Sequence, residues 1–508
     1  MLVAVAASRL AYPFELDWVE GALLEQTLRV RAGVPLYVAP STAYVPLIYA
    51  PLFNYAAAAM AALVGPGFAA LRTVSALAAA ATLVITGVYV TRETGRRSAG
   101  LIAAALYAAG QHLAESWLDV GRSDSLFLAL LIAGAFVYRT RAQGRGAPIA
   151  AGGLWALAFL TKQSVPVVLA PLLVWLVVRE RARGRLAVAA FAALSLIAVL
   201  WIDSANGGWF RYYAFIVPRK FPMDPALAGR FFLEMTPLLP AFALGAAGAW
   251  TRFRTDAGDV GFHVALAGGL AFSSWHLRLY RGAGENVLLA AVLAAALAGG
   301  LGWGWLASRA AAVRPGRPAS RPPAGRAGRI ASHTPAWSPG RIASSLALCV
   351  QLAVLLRNPL PDIPRREDRA AGEDLVRRLA SSEGPVFVSY HPYLARRAGK
   401  PTNVHIVPLM DMVRMPRDSI QDGLWQAMKD SLRTRAWDVL VLDQRDWLLE
   451  EAQAAGYREI AGVFADPDVF WPVTGYQTRP EWVFAPEERL EADTTAARSD
   501  SLREAIEP

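Results

Sequence analysis

The feature that most limits how this chain can fold is an alternation of apolar blocks, each of about 14 to 24 residues, with short arginine-bearing breaks as far as Arg357. Blocks of that length match the thickness of a bilayer's hydrocarbon, where a segment must satisfy its own backbone hydrogen bonds and therefore forms a helix. Composition agrees: 55% of the 508 residues are apolar and 18% charged, which excludes an ordinary soluble enzyme. Beyond Arg357 the sequence reads as a globular unit. The expected fold is a polytopic all-α membrane bundle followed by a C-terminal soluble α/β domain.

The net charge of +10 is no nucleic-acid footprint, because the arginines occupy the connections between apolar blocks. Their clusters are Arg92/Arg96/Arg97, Arg139/Arg141/Arg145, Arg179 to Arg185, Arg252/Arg254 and the stretch Arg309 to Arg341. Placing all of them in the cytoplasm requires two crossings between neighbouring clusters, and the apolar blocks supply two each time. The resulting spans lie near 1–13, 70–91, 98–116, 124–138, 148–162, 165–178, 186–203, 236–250, 260–275, 287–307 and 340–356, about 11 in all. The first block is shorter than a span. It reads either as a first transmembrane helix whose cytoplasmic end lies upstream of Met1 or as a short buried helix. Pro46 to Gly65 is long enough to cross, but counting it would invert every later arginine cluster, so it reads as a juxtamembrane or re-entrant helix.

The expected organisation is a transmembrane catalytic domain over 1–307, a basic Pro/Gly-rich cytoplasmic linker over 308–339, a last transmembrane helix over 340–356, and a soluble extracytoplasmic domain over 357–508. In the last, Glu367 to Ala380 and Ser419 to Leu432 read as helices, and Val386 to Tyr390 and Val439 to Leu442 as buried strands. His391, His405 and Asp411 lack metal-site spacing and read as ordinary loop positions. Tyr476, Arg479 and Trp482 read either as a recognition surface or as packing. There is no nucleophile elbow or glycine-rich phosphate loop in this domain. The single cysteine, Cys349, allows neither an intrachain disulfide nor a cysteine metal cluster.

Carboxylates near a bilayer are costly unless hydrated, paired or functional. Asp17 and Glu20 in FELDWVEG, and Asp119 and Asp124 in LDVGRSDS, fall at one outward membrane level. Glu20 could be a solvated helix face and Asp124 a helix cap; Asp17, between an apolar span and Trp18, reads as functional. Lys162, Arg278 and Arg281 fall on the same face, where short loops seldom carry positive charge, although interfacial cations also snorkel to head groups. Such cations around outer-face carboxylates suit a lipid-linked phosphate. A sugar on a lipid phosphate already has a good leaving group. Basic side chains neutralise the departing phosphate, a carboxylate activates an acceptor hydroxyl, and the anomeric centre inverts.

Asp17 in FELDWVEG, the run PLIYAPLFNYAAAAMAALVGPGFAALR with Arg72, the LDVGRSDSLFLALL connection and the LAFLTKQS segment occur in an order that resembles the GT-C membrane glycosyltransferases. The similarity is to bacterial members of glycosyltransferase family 39, the protein O-mannosyltransferase and aminoarabinose transferase group. The resemblance implies a polyprenyl-phosphate-linked sugar donor, used on the outer side of the bacterial cytoplasmic membrane. It implies that Asp17 is the catalytic base, Glu20 a helper, Asp124 a second acidic contributor and Lys162 a donor-phosphate ligand. Arg278 and Arg281 join the phosphate-binding set from their outer-face position. The first outer loop departs from the family's adjacent Asp-Glu pair and its Lys-Pro-Pro run, which leaves open whether the acceptor is a lipid, a glycan or a protein. A divalent metal ion also stays open, with Asp17 and Asp124 as its candidate ligands. The competing reading is a transporter or flippase for a glycolipid or polyprenyl-phosphate-sugar; inverted repeats and midplane charges would favour it, and the sequence offers neither. A scaffold anchored by its spans would need far fewer of them.

Overall fold

The computed structural model describes residues 2–140, 144–312, 339–414, 416–444 and 446–488. The body is a helical bundle around Leu289–Ala312, whose residues from Leu289 to Leu297 are all buried. Helices Arg97–Gly110, Leu239–Phe253 and Ala257–Arg278 pack against it. Small residues make that approach possible: a Cβ on Gly248 would stand 2.4 Å from the Cα of Gly302, so backbones meet directly. In a bilayer, where apolar side chains gain nothing by leaving lipid, such close backbone packing is a main source of helix association. Arg181–Ala205 lies at the periphery and exposes Leu196, Ile197, Leu200 and Trp201, the surface a lipid-facing helix presents.

Among the described residues five helices are long and apolar enough to cross a membrane: Phe68–Thr94, Ser123–Thr140, Arg181–Ala205, Pro225–Phe253 and Glu285–Ser308. Shorter apolar helices occupy Leu52–Val64, Gly146–Thr161, Val165–Arg179 and Ser345–Val354. The first block forms only the nine-residue helix Leu2–Leu10. Pro46 to Gly65 contributes the 13-residue helix Leu52–Val64, shorter than its apolar block because Pro46 and Pro51 delay the helix start. Residues 313–338 of the expected linker lie outside the described residues.

The chain after Arg357 builds a four-stranded sheet in the order β1-β2-β4-β3, with β1 Val386–Val388, β2 Val439–Asp443, β3 Tyr457–Gly462 and β4 Pro480–Pro486. β1 and β2 run parallel, so the chain between them must cross over; it does so through Pro392–Arg397, Ile406–Val413 and Ser419–Arg433. β4 pairs antiparallel with both β2 and β3. This unit packs onto one end of the bundle. Phe14 contacts Phe470 edge-on at 5.2 Å, and Phe14, Leu71, Tyr393 and Phe470 belong to one buried apolar cluster.

Phe68–Thr94 shows how the bundle separates two polar regions. Arg72 near its start and Glu93 near its end are about 30 Å apart at 1.5 Å per residue, close to the thickness of a hydrocarbon layer. At the Glu93 end, Arg139 pairs with Glu93 at 2.7 Å and also with Asp259, and His263 contacts Glu93. The Arg72 end holds the candidate site.

Candidate active site

The segment from residue 11 to 19 joins Leu2–Leu10 to Glu20–Arg31 and carries Asp17. Its shape is set by Arg72, which is fully buried. The guanidinium donates from Nη1 to the carbonyls of Arg9 (2.7 Å) and Tyr12 (2.6 Å), and from Nη2 to that of Phe14 (2.5 Å). The carbonyl of Arg9, at the end of the first helix, has no partner within that helix, so Arg72 acts as its cap. Nη2 also reaches Glu20 Oε2 at 2.7 Å, and Nε reaches Oε1 at 3.1 Å. Glu20 in turn accepts from the backbone N–H of Leu16 (2.8 Å) and of Gly121 (2.6 Å). Both Glu20 oxygens are thus committed to holding the segment together, and the side chain is fully buried.

The 115–124 connection supplies the second layer. Arg122 Nη1 donates to Asp17 Oδ2 at 2.8 Å and Nη2 to the Tyr49 hydroxyl at 3.3 Å, and the guanidinium lies 4.9 Å from the Trp117 ring. Asp17 Oδ2 also accepts from the Val19 N–H at 3.2 Å, whereas Oδ1 is buried without a hydrogen-bond partner. Burial pushes the Asp17 carboxyl up to about 6; Arg122 opposes the rise and Glu20 adds to it. Asp119 pairs with the buried Arg9 at 2.7 Å and closes this end of the bundle.

The C-terminal unit clamps the same segment from outside. Thr474 donates its N–H to the Leu16 carbonyl at 3.0 Å, and the Trp18 and Tyr476 rings meet at 5.0 Å. His391 lies between Glu15 and Asp443, with Nε2 3.2 Å from Asp443 Oδ2, and Thr478 donates to the same oxygen at 2.6 Å. Burial opposes the charged form of His391, but its two carboxylate neighbours overcome that and hold its pKa above the ordinary histidine value. Gly475 covers the free oxygen of Asp17. With φ of 76° it suits glycine, and a Cβ there would come within 2.3 Å of Asp17 Oδ1.

Beside Asp17 opens a cavity of about 1420 Å³ whose lining includes Trp18, Tyr49, Arg122, Lys162, Arg281 and Asn286. Lys162 donates to Asp124 Oδ1 at 2.5 Å, and Asn286 Nδ2 donates to the same oxygen at 2.9 Å. Lys162 also stands just before the helix Val165–Arg179, whose N-terminal dipole favours an anion at this position.

The expected site residues therefore divide. Lys162 and Arg281 line the cavity, and Asp17 and Asp124 lie buried behind its lining, each joined to a lining cation, Arg122 and Lys162 respectively. Glu20 is held by Arg72 instead. Arg278 is turned away: its guanidinium is taken up by Glu234 (2.6 Å), Glu285 (2.7 Å) and the Ala283 carbonyl (2.6 Å), and it does not line the cavity. Arg281 lines the cavity but has a mostly exposed side chain that reaches Asp224 at 3.2 Å. Sequence reasoning passed over Arg122, although an arginine in a short outward loop is the very signal that singled out Lys162. It also read His391 and Asp411 as plain loop residues, whereas the first grips the Asp17 segment and the second lines the cavity.

Residues 48–209 match the family model for dolichyl-phosphate-mannose-protein mannosyltransferase. Among solved structures, ArnT from Cupriavidus metallidurans in the apo state superposes with a TM-score of 0.56 at 15% identity, covering 95% of this chain and 96% of that one. The same ArnT bound to undecaprenyl phosphate gives 0.56, again at 15% identity, over 95% and 97%. The chain has the GT-C fold. A second GT-C structure, the archaeal oligosaccharyltransferase AglB from Archaeoglobus fulgidus in complex with an inhibitory peptide and a dolichol-phosphate, gives 0.50 at 12% identity over 87% of this chain and 69% of that one. No curated protein sequence matches the chain. The GT-C likeness spans the sheet-bearing unit as well as the bundle, since the ArnT match covers nearly the whole of both chains.

Proposed function

We propose that this protein transfers a sugar from a polyprenyl-phosphate-linked donor to an acceptor hydroxyl at the outer face of the bacterial cytoplasmic membrane, inverting the anomeric centre. One observation carries the reading: a buried carboxylate with an uncommitted oxygen, Asp17, adjoins a large cavity that also displays Lys162 and Arg122. The solved ArnT with undecaprenyl phosphate and AglB with dolichol-phosphate lend support, because proteins of this fold accept such lipids.

In this mechanism Asp17 takes the proton of the acceptor hydroxyl as it attacks the anomeric carbon, and the bond from that carbon to the phosphate oxygen breaks. Lys162 neutralises the departing phosphate with help from Arg281 at the cavity edge. Arg122 holds Asp17 in position through one oxygen and leaves the other for the proton. Asp124 fixes the Lys162 ammonium and does not itself meet substrate. Glu20 acts only through Arg72, by shaping the Asp17 segment. At Asp17 Oδ2 and Asp124 Oδ1 the positive charge that a divalent ion would bring is already supplied by Arg122 and Lys162. Charge neutralisation is accordingly assigned to those side chains, and no step runs through a metal.

The reading is tested by following radiolabelled sugar from polyprenyl phosphate in membranes containing the protein. Movement of the lipid across the bilayer without a glycosylated product would replace it with transport. Two variants sharpen the assignment. Lys162→Met should weaken binding of polyprenyl phosphate by about tenfold or more and also destabilise the fold, since it strips Asp124 of its buried counter-charge. The double variant Asp124→Asn/Lys162→Met removes both charges. It should recover thermal stability but not lipid binding; recovered binding would show that Lys162 is structural.

Gly475→Ala tests the lid over Asp17. The added methyl has a left-handed backbone to adopt and a carboxylate oxygen in its place, so transfer should fall by about tenfold or more while insertion into membranes persists. Wild-type turnover by this variant would mean that Asp17 is not held where the mechanism needs it.

A further inference from the structure

The cavity has a second wall, contributed by the C-terminal unit, that the transfer chemistry does not use. Its residues include Tyr390, Asp411, Arg414, Trp447 and Tyr476. Trp18 lies against Tyr390 at 5.8 Å and against Tyr476 at 5.0 Å, so three rings form a continuous aromatic surface directly after Asp17 in the chain. Tyr476 is about half exposed, at 48%. Around these rings stand polar groups without partners. Among the described residues the Asp411 carboxylate and the Arg414 guanidinium make no side-chain hydrogen bond or ion pair, and Trp447 Nε1 is buried and unsatisfied. Asp411 has its carboxyl pushed up to about 7 by burial, which leaves it able to accept or to donate a hydrogen bond near neutral pH.

We infer that this wall binds the acceptor and that the acceptor is a carbohydrate, so that the hydroxyl presented to Asp17 belongs to a saccharide. The chemistry of the wall discriminates between the candidate classes. A sugar ring has an apolar face, which suits an aromatic surface, and a rim of hydroxyls that each both donate and accept. Asp411, Arg414 and the Trp447 N–H supply both kinds of partner. A lipid chain on this wall would bury Asp411 and Arg414 unsatisfied, a cost of about 1–3 kcal/mol for a neutral group and more for a charged one. A peptide bound as an added strand would need a free sheet edge, and neither edge strand, β1 or β3, contributes to the cavity.

The inference rests on the transfer reading, and two arms of one experiment separate them. The protein is used full-length in lipid nanodiscs, which avoids sugar-headed detergents. The first arm measures transfer from a radiolabelled polyprenyl-phosphate sugar in native membranes; loss of the reading appears there as no transfer at all. The second arm uses Asp17→Asn, so that turnover is suppressed, and titrates maltotetraose, chitotetraose and mannotetraose without donor while following tryptophan fluorescence. At least one oligosaccharide should bind saturably. Asp411→Asn and Tyr476→Ala, each in the Asp17→Asn background, should weaken that binding by about tenfold, the effect of one lost hydrogen bond to a charged group or one lost stacking partner. Binding of undecaprenyl phosphate reports that these variants are folded. Failure of all three oligosaccharides to bind, or binding that ignores both substitutions, overturns the inference, as does a transfer product from the first arm that is a glycosylated peptide or a simple glycolipid.

Discussion

Asp17→Asn is expected to lower sugar transfer by about 10²- to 10⁴-fold, the usual contribution of a positioned general base, while leaving the protein folded. The asparagine keeps the shape of the side chain and can still accept from Arg122 and from the Val19 N–H, the two groups that now hold Oδ2. It cannot take a proton. The pH dependence supplies an independent readout. The carboxyl is raised to about 6 and works only when ionised, so the wild-type rate should climb as pH rises through about 6 and level off above it. That step should be missing from the residual activity of the variant. Transfer measured with a defined donor across about pH 4 to 8 on both proteins, a range of about two units to either side of that value, settles the matter. A variant as active as the wild type, or one that keeps the same pH step, would remove Asp17 from the mechanism.

Arg72→Met is expected to produce the largest loss of stability. The substitution matches the length of the stem but deletes all the guanidinium donors that now reach the carbonyls of Arg9, Tyr12 and Phe14 and both oxygens of Glu20. The salt bridge is wholly inaccessible to solvent on both sides. Removing one partner of such a buried pair costs about 3–5 kcal/mol, since the remaining charge loses its counter-charge and has no water to replace it. The signature should be a sharply lowered unfolding temperature in purified protein, or failure to accumulate in membranes. Glu20→Gln in the same background should return part of the loss, because it removes the unpaired charge while its one amide oxygen can still accept from either the Leu16 or the Gly121 N–H. A single variant with unchanged melting would mean that Arg72 does not pin the segment.

What the sequence made legible follows from the range over which each signal acts. Membrane-spanning character is a property of local composition, so the apolar blocks were visible, and several end where an arginine or a proline stands. β1 and β2 were visible for the same reason, as short apolar runs. β3 and β4 were not: YREIAG and PEWVFAP mix charges with apolar residues, and β3 leaves all but Tyr457 outside the buried core. Asp17 could be found because a carboxylate after an apolar block is conspicuous by itself. Pairing could not be found. Arg278 looked available only because its partners Glu234 and Glu285 lie 44 and 7 positions away, and Arg122 went unremarked because Asp17 is 105 positions away. Asp411 was set aside for lack of metal-ligand spacing, a test that has nothing to say about a residue that faces a cavity.

The clamp on the Asp17 segment also dictates when, during the life of the chain, this centre can come into being. Residues 11–19 leave the ribosome before every group that fixes their geometry: Arg72, then Gly121 and Arg122, and finally His391 and Thr474. Asp17 is thus translated well before the groups that lock it. A nascent chain part-way through insertion carries Asp17 without its lid or its outer clamp. On the proposed mechanism, catalytic competence would wait until the sheet has closed over the bundle, and a part-made chain would be kept from acting on a lipid-linked donor.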